Sequence, residues 1–365
     1  MSMRIAYFIS SHGFGHATRA SAVMAALAAQ LPAVQFDIFS RVPRWLFEDS
    51  LPGRFDYHPL TTDVGLVQRN SLHEDIPATV AALRQLIPFA PDTVAQLAGQ
   101  LRAMRPACRL VLCDIAPLGL AVAEAAGIPS VLVENFTWDW IYAGYPGEDG
   151  DRLAPFGRYL AGQFGRATYH VQTEPVCAAR PLAHLTSAPV SRQPRAEPEQ
   201  VRRRLGLRPA DKLVVVTMGG MAADFGFLRE AEDLVGVKFV VMGGQVASRG
   251  AVVGLPQRSD IFHPDLINAA DAVISKVGYS TLAEVYHAGV PLGYVGRARF
   301  RESAVLAAYI AERMPSRPIS EAALHNGAWR QAVEQLLAMP RRQPPQRNGA
   351  QQIAAFVAKQ VERPG

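Results

Sequence analysis

The stretch RIAYFISSHGFGHATRASAVMAAL, residues 4–27, changes its period in the middle. Residues 4–10 form a largely apolar run of strand length. Over residues 17–31 the apolar side chains fall at Ala20, Val23, Met24 and Leu27, which is helical spacing. Between the two lies Ser11-His12-Gly13-Phe14-Gly15-His16. A buried strand, a glycine turn and an immediate helix open a βαβ unit, whose strands run parallel.

The same alternation continues outward. Strands are expected at 34–39, 110–113, 130–133 and 169–172, and helices at 76–86, 92–104 and 118–126. Residues 181–198 are rich in Pro, Ser, Arg and Ala, lack a sustained period, and read as a connection. The pattern restarts with an apolar strand at 213–218. Further strands follow at 238–242, 272–275 and 291–295, with helices at 282–288 and 303–313. A proline-rich stretch, 340–345, precedes a final helix at 350–361. The expected fold class is α/β, with two Rossmann-like parallel-sheet domains facing across a cleft. The expected division is 1–180, a connection at 181–200, a second domain at 201–345, and a helix at 346–365 that returns to the first domain.

Composition agrees with two domains of about 150 to 200 residues each. The chain has 365 residues, 49% of them hydrophobic and 19% charged, enough to bury a large core. A net charge of +5 is small for this length and gives no reason to expect a nucleic-acid partner. Cys108, Cys113 and Cys177 lack CxxC spacing and read as reduced thiols of a cytoplasmic protein, without a zinc site. The first apolar run is too short for a signal-peptide core. The apolar region 110–133 is broken by Asp114, Pro117, Glu124 and Pro129, so no transmembrane segment is expected, although peripheral membrane contact stays open.

Chemistry concentrates at the turns. Gly13 and Gly15 let a backbone approach a ligand at a helix N-terminus, where free N–H groups and the dipole favour an anion. The third position of the dinucleotide fingerprint holds Thr18, so this is not that motif. His16 lies at the helix start, where the field keeps an imidazole neutral, as a general base requires. His12 is a weaker candidate for the same role. Asp114 ends an apolar strand and would share a rim with His16 if the strands are parallel. It would then orient the ring, the alternative being a cap on the following turn. Gly219 and Gly220 form a second glycine loop after the restart strand. The segment from His263 to Glu284 ends a strand near Ser275, turns at Gly278 and opens a helix near Thr281, where diphosphate oxygens could sit. Glu284 could accept two ribose hydroxyls; Thr281-x-x-Glu284 also has the spacing of a capping box.

Ala270-Asp271, Ser275-Lys276-Val277-Gly278, Thr281, Glu284 and Gly289-Val290-Pro291 resemble, in order and spacing, the donor-site signature of GT-B glycosyltransferases of the MurG and UDP-glycosyltransferase type. The resemblance implies a GT-B fold. It implies that Gly278, Ser280 and Thr281 hold a diphosphate and that Glu284 holds the ribose. Residues 261–263, with His263, would meet the base mainly through backbone. Glu302, in Arg301-Glu302, would contact the donor sugar. Residues 11–19 and Asn135-Phe136-Thr137-Trp138-Asp139-Trp140-Ile141-Tyr142-Ala143 are similar to the glycosyltransferase-like region of plant L-arabinokinases and its free-standing bacterial relatives. That similarity spans most of the chain and includes no kinase part. Asp139 and the aromatic residues around it would face the cleft, or else pack in the core with the Asp solvated. The polar stretch 63–74 would line the acceptor side.

The resemblance implies a UDP-sugar donor and inverting transfer to an unknown acceptor hydroxyl. His16 would be the base and Asp114 its partner, with neither cofactor nor metal. A nucleotide-sugar hydrolase or epimerase on the same scaffold, and a non-catalytic sugar-nucleotide-binding module, are the alternatives.

Overall fold

The computed structural model describes residues 3–51, 53, 55–219, 225–243 and 246–362, apart from the side chains at 230, 232 and 233. Gly220, expected in the second glycine loop, lies outside the described residues. The chain divides into two compact units: residues 1–67, 74–190 and 347–365 form the first, and residues 68–73 and 191–346 the second.

The first unit is built on β1 (Met3–Ile9), α1 (Gly15–Gln30), β2 (Val34–Ser40), α2 (Trp45–Glu48), β3 (Phe55–Pro59), α3 (Ile76–Leu86) and α4 (Pro91–Ala103). It continues through β4 (Cys108–Asp114), α5 (Pro117–Ala126), β5 (Ser130–Glu134), α6 (Trp138–Tyr142), α7 (Gly147–Phe164), β6 (Tyr169–Thr173) and β7 (Leu185–Ser187). All seven strands form one sheet in the order β3-β2-β1-β4-β5-β6-β7, and every pairing is parallel. A parallel sheet is covered on both faces, so its central strands need no polar alternation. Accordingly Ile5 to Ile9 and Leu110 to Cys113 are fully buried.

The second unit contains α8 (Pro198–Arg204), β8 (Lys212–Thr217), a 3-10 helix (Gly226–Asp233), β9 (Val237–Met242), β10 (Val252–Leu255), α9 (His263–Ala269) and β11 (Ala272–Lys276). It ends with α10 (Tyr279–Ala288), β12 (Leu292–Val295), α11 (Arg301–Arg313), β13 (Ser316–Pro318), α12 (Glu321–His325) and α13 (Trp329–Leu337). Its sheet, β10-β9-β8-β11-β12-β13, is again parallel and repeats the order of the first. Trp329 anchors one side of its core, fully buried and edge-on to Phe227 and Phe239. The last helix, α14 (Gly349–Val361), packs on α1. Asn348 caps it by accepting the Ala350 N–H at 2.9 Å.

Two expectations change. The stretch read as an irregular connection carries β7, which extends the first sheet through Val171↔Leu185 pairing. A three-residue edge strand is too short to show a period. The 18-residue helix α7 was not expected. Pro155 lies inside it and Gly147, Gly150, Gly157 and Gly162 dilute its apolar face. No helix among the described residues is long and apolar enough to cross a membrane.

Candidate functional site

In a doubly wound sheet the order of strands reverses once, and ligands bind outside the carboxyl ends of the two strands flanking that point. In the first unit those strands are β1 and β4, whose register pairs Ile9 with Asp114. His16 follows β1 as the second residue of α1, so the two side chains belong to one rim. His16 Nδ1 is 2.9 Å from Asp114 Oδ1. Both residues are buried, Asp114 completely. Burial pushes the Asp114 carboxyl up, but the Arg19 guanidinium and the bond to His16 outweigh it and hold the group below the usual carboxylate range. An ionised carboxylate only accepts, so His16 carries its proton on Nδ1 and presents the lone pair of Nε2. Asp114 is therefore not a turn cap.

His12 has the opposite polarity. The Leu66 N–H donates to its Nδ1 at 3.2 Å, which places the proton of the neutral ring on Nε2. The segment after β3 is tied down around it. Thr62 Oγ1 donates to the Ile9 carbonyl, and Tyr142 Oη to that of Gly65 at 2.7 Å. Trp138 Nε1 donates to Asp63 Oδ2 at 2.6 Å. Burial raises the Asp63 carboxyl above its ordinary value. Trp138 and Tyr142 are at most 1% exposed, whereas Trp140 is half-buried; Trp138 packs edge-on against the rings of His12 and His16. Asp139 itself is half-buried on the first turn of α6, and its Oδ1 is buried without a hydrogen-bond partner. Asp63 and Glu74, at the ends of the stretch expected to line the acceptor side, are also buried.

The second unit repeats the arrangement with other chemistry. Its reversal lies between β8 and β11, where Gly219 follows one strand and Lys276 ends the other. Gly219 has φ +69°, and a Cβ there would meet Lys276 Cε at 3.0 Å. Burial, and then the nearby Arg297, lower the Lys276 ammonium to about 8, while Glu302 opposes them. Gly278 is the N-cap of α10, with Ser280 and Thr281 in its first turn. The first N–H groups of a helix have no intrahelical partner, and Lys276 stands two residues before the N-cap of this one.

Glu284 lies further along α10 and is 5% exposed. Its Oε1 accepts Arg192 Nε at 3.0 Å, and its Oε2 is 2.6 Å from His263 Nδ1. Burial pushes its carboxyl up, but Arg192 and His263 prevail and hold it below the normal value. The capping-box reading fails, because Gly278 caps the helix without a side-chain bond and Glu284 turns to Arg192 and His263. Arg192 and Arg195 both stand over the Phe262 ring, at 4.9 and 4.2 Å from its centroid. Glu302 is buried on the first turn of α11. Asp271 belongs to the scaffold. It lies just before β11, at the opposite end of the strand from Lys276, and accepts from the Leu213 N–H and Arg202.

The sequence reading gave no individual role to Arg19 and Asn135, which stood in it only within motifs, to Asp63, which stood only as the start of a polar stretch, or to Arg192 and the surroundings of Lys276. Arg19 carried one usable signal: it stands three residues after His16, on the same helix face.

Two parallel sheets of this order, in two units, define a GT-B-type α/β fold. Solved structures agree. LpCGTa in complex with UDP is similar with TM-score 0.64 and 14% identity, over 100% of both chains. The kitacinnamycin glycosyltransferase is similar with TM-score 0.62 and 15% identity, over 99% of this chain and 100% of that one. Among curated proteins, L-arabinokinase of Arabidopsis thaliana is 27% identical over 307 residues, 82% of this chain. The chain spans 29% of the length of that relative. No family model matches.

Proposed function

We propose that the chain is a glycosyltransferase that takes a UDP-sugar and passes the sugar, with inversion, to an acceptor hydroxyl. The carrying observation is the His16–Asp114 pair, buried at the strand-order reversal of a GT-B-type unit, with Nε2 of His16 as the basic nitrogen. The Nε2 lone pair takes the acceptor proton as the acceptor oxygen attacks the anomeric carbon. The bond from that carbon to the diphosphate oxygen breaks, and its electron pair leaves with UDP. Gly13 and Gly15 keep the turn before His16 open to the sugar.

The charge that develops on UDP needs nearby donors. Lys276 and the first turn of α10 at Gly278, Ser280 and Thr281 supply them, and Gly219 lets the diphosphate approach the backbone. Glu284, held ionised by Arg192, accepts the ribose hydroxyls, with His263 beside it. Glu302 reaches the sugar, and His12 and Asp139 serve the acceptor side. In this scheme the leaving charge is met without a metal ion. Support comes from the fold, shared with glycosyltransferases, one of them described with UDP.

The test is incubation with a panel of UDP-sugars, with and without hydroxyl acceptors, while UDP release is followed. Acceptor-dependent release supports transfer. Release that needs no acceptor points to a hydrolase, and an altered sugar without UDP release points to an epimerase. Binding without either change points to a sugar-nucleotide-binding module.

A further inference from the structure

Arg19 is 1% exposed, and its guanidinium is aimed at the pair just described. Nε donates to Asp114 Oδ2 at 2.8 Å and Nη2 to Oδ1 at 2.6 Å, a bidentate fork. Nη1 donates to Asn135 Oδ1 at 2.7 Å, which braces the fork from the end of β5. The oxygen that receives Nη2 is the same one that faces His16 Nδ1. Nη2 itself lies 3.4 Å from that nitrogen.

A buried carboxylate beside an imidazole ordinarily does two things at once. It selects the tautomer, and it favours the imidazolium. The second effect works against a base, because a ring that already holds two protons cannot accept another. A cation at nearly the same distance from the ring cancels it. We propose that Arg19 is a positioning residue of this site: it fixes the plane of Asp114 and offsets its charge, so that the carboxylate orients His16 without favouring its protonation. The inference rests on reading His16 as the base.

The other groups around the ring stay in place in every variant compared. Asp63 faces His16 from the segment after β3, and burial raises its carboxyl above the ordinary value. Phe136 and Trp138 present ring edges or faces from the segment after β5. Tyr7, on β1 beside Asp114 and Arg19, is buried, and burial drives its hydroxyl well above the normal range, so it stays neutral.

The test needs no substrate. Histidine ring nitrogens are labelled in the native protein and in Arg19→Gln and Arg19→Lys, with His16→Gln assigning the signal, and the ring is titrated by NMR. In Arg19→Gln the His16 midpoint moves to higher pH, and in Arg19→Lys, which keeps the charge, it returns toward the native position. A folded Arg19→Gln protein with the native midpoint overturns the proposal, because a merely structural arginine would leave the titration in place. Arg19→Gln leaves Asp114 without its counter-ion and can fail to fold. The double variant Asp114→Asn/Arg19→Gln, which has no lone buried charge, then carries the test. Its His16 midpoint stays near the native one, because the two charges it removes offset each other; a midpoint well below the native one shows that Asp114 favours the imidazolium unopposed and overturns the proposal. Absence of UDP release in the transfer assay would bear on the reaction and leave this result standing.

Discussion

Lys276 lies against Gly219, so close that a methyl group on Gly219 would stand 3.0 Å from Cε of the lysine. The two residues flank the strand-order reversal of the second sheet, as His16 and Asp114 flank that of the first. Gly219 also needs its positive φ, which costs an L side chain about 1–2 kcal/mol. Gly219→Ala is therefore expected to destabilise the protein by that amount in urea unfolding. It should also weaken UDP binding by about tenfold, since the lysine must shift, equivalent to about 1.4 kcal/mol.

In the proposed reaction Lys276 should give UDP binding a pH dependence. Its amine must be protonated to meet the diphosphate, and its value is about 8. UDP affinity should fall as pH rises through 8, and Lys276→Met should flatten that limb. Folding stability responds with the opposite sign. Between about 8 and an unfolded value of about 10.4 the folded chain binds fewer protons than the unfolded one, so this group's contribution rises with pH. Calorimetric titration of UDP from pH 6.5 to 9.5, beside denaturation over the same range, separates the two.

Glu284 should show the acid-labile pattern. Its folded value is depressed, so its stabilisation is present above the unfolded value of about 4.3 and is lost as pH falls through the folded one. Glu284→Ala leaves Arg192 buried without its partner and should cost about 3–5 kcal/mol. Glu284→Gln keeps the shape and should cost less, yet still weaken UDP binding. If Glu284→Gln binds UDP as tightly as the native protein, the ribose role assigned to the carboxylate is wrong.

Gly65 places His12. A Cβ on Gly65 would stand 2.8 Å from that of His12, and the residue has φ +62°. Gly65→Ala should push the ring away from the Leu66 N–H. A displacement of about 1 Å at a reacting site can cost about 100-fold in rate. Turnover should fall by up to that factor while UDP affinity stays native, measured by acceptor-dependent kinetics and UDP titration on the same sample.

Local periodicity carried most of the fold. Residues 76–86, read as a helix from the spacing of their apolar side chains, form α3 with those limits. The central strands were legible because parallel strands buried on both faces are continuous apolar runs. Among what escaped notice, β7 and β13 have three residues each, and α7 hides its apolar face among glycines and charges; β3, β10 and the nine-residue α13 were not expected either. At the site, turn position and strand polarity sufficed to bring His16 to Asp114. Spacing cannot show that Arg19 meets Asn135 across 116 positions or that Arg192 meets Glu284 across 92, because such pairs exist only after the chain has folded. The motif likeness also included Asp271, which the structure assigns to bracing β11 against β8 through the Leu213 N–H.

The most direct measurement compares native protein with His16→Gln for acceptor-dependent UDP release, with UDP affinity measured in parallel. The expected result is release in the native protein and a loss of about 100-fold or more in the variant, as removal of a general base entails. Nucleotide affinity should be unchanged, because in the proposed reaction His16 acts on the acceptor hydroxyl and not on the nucleotide. Equal release from the two proteins would contradict the account.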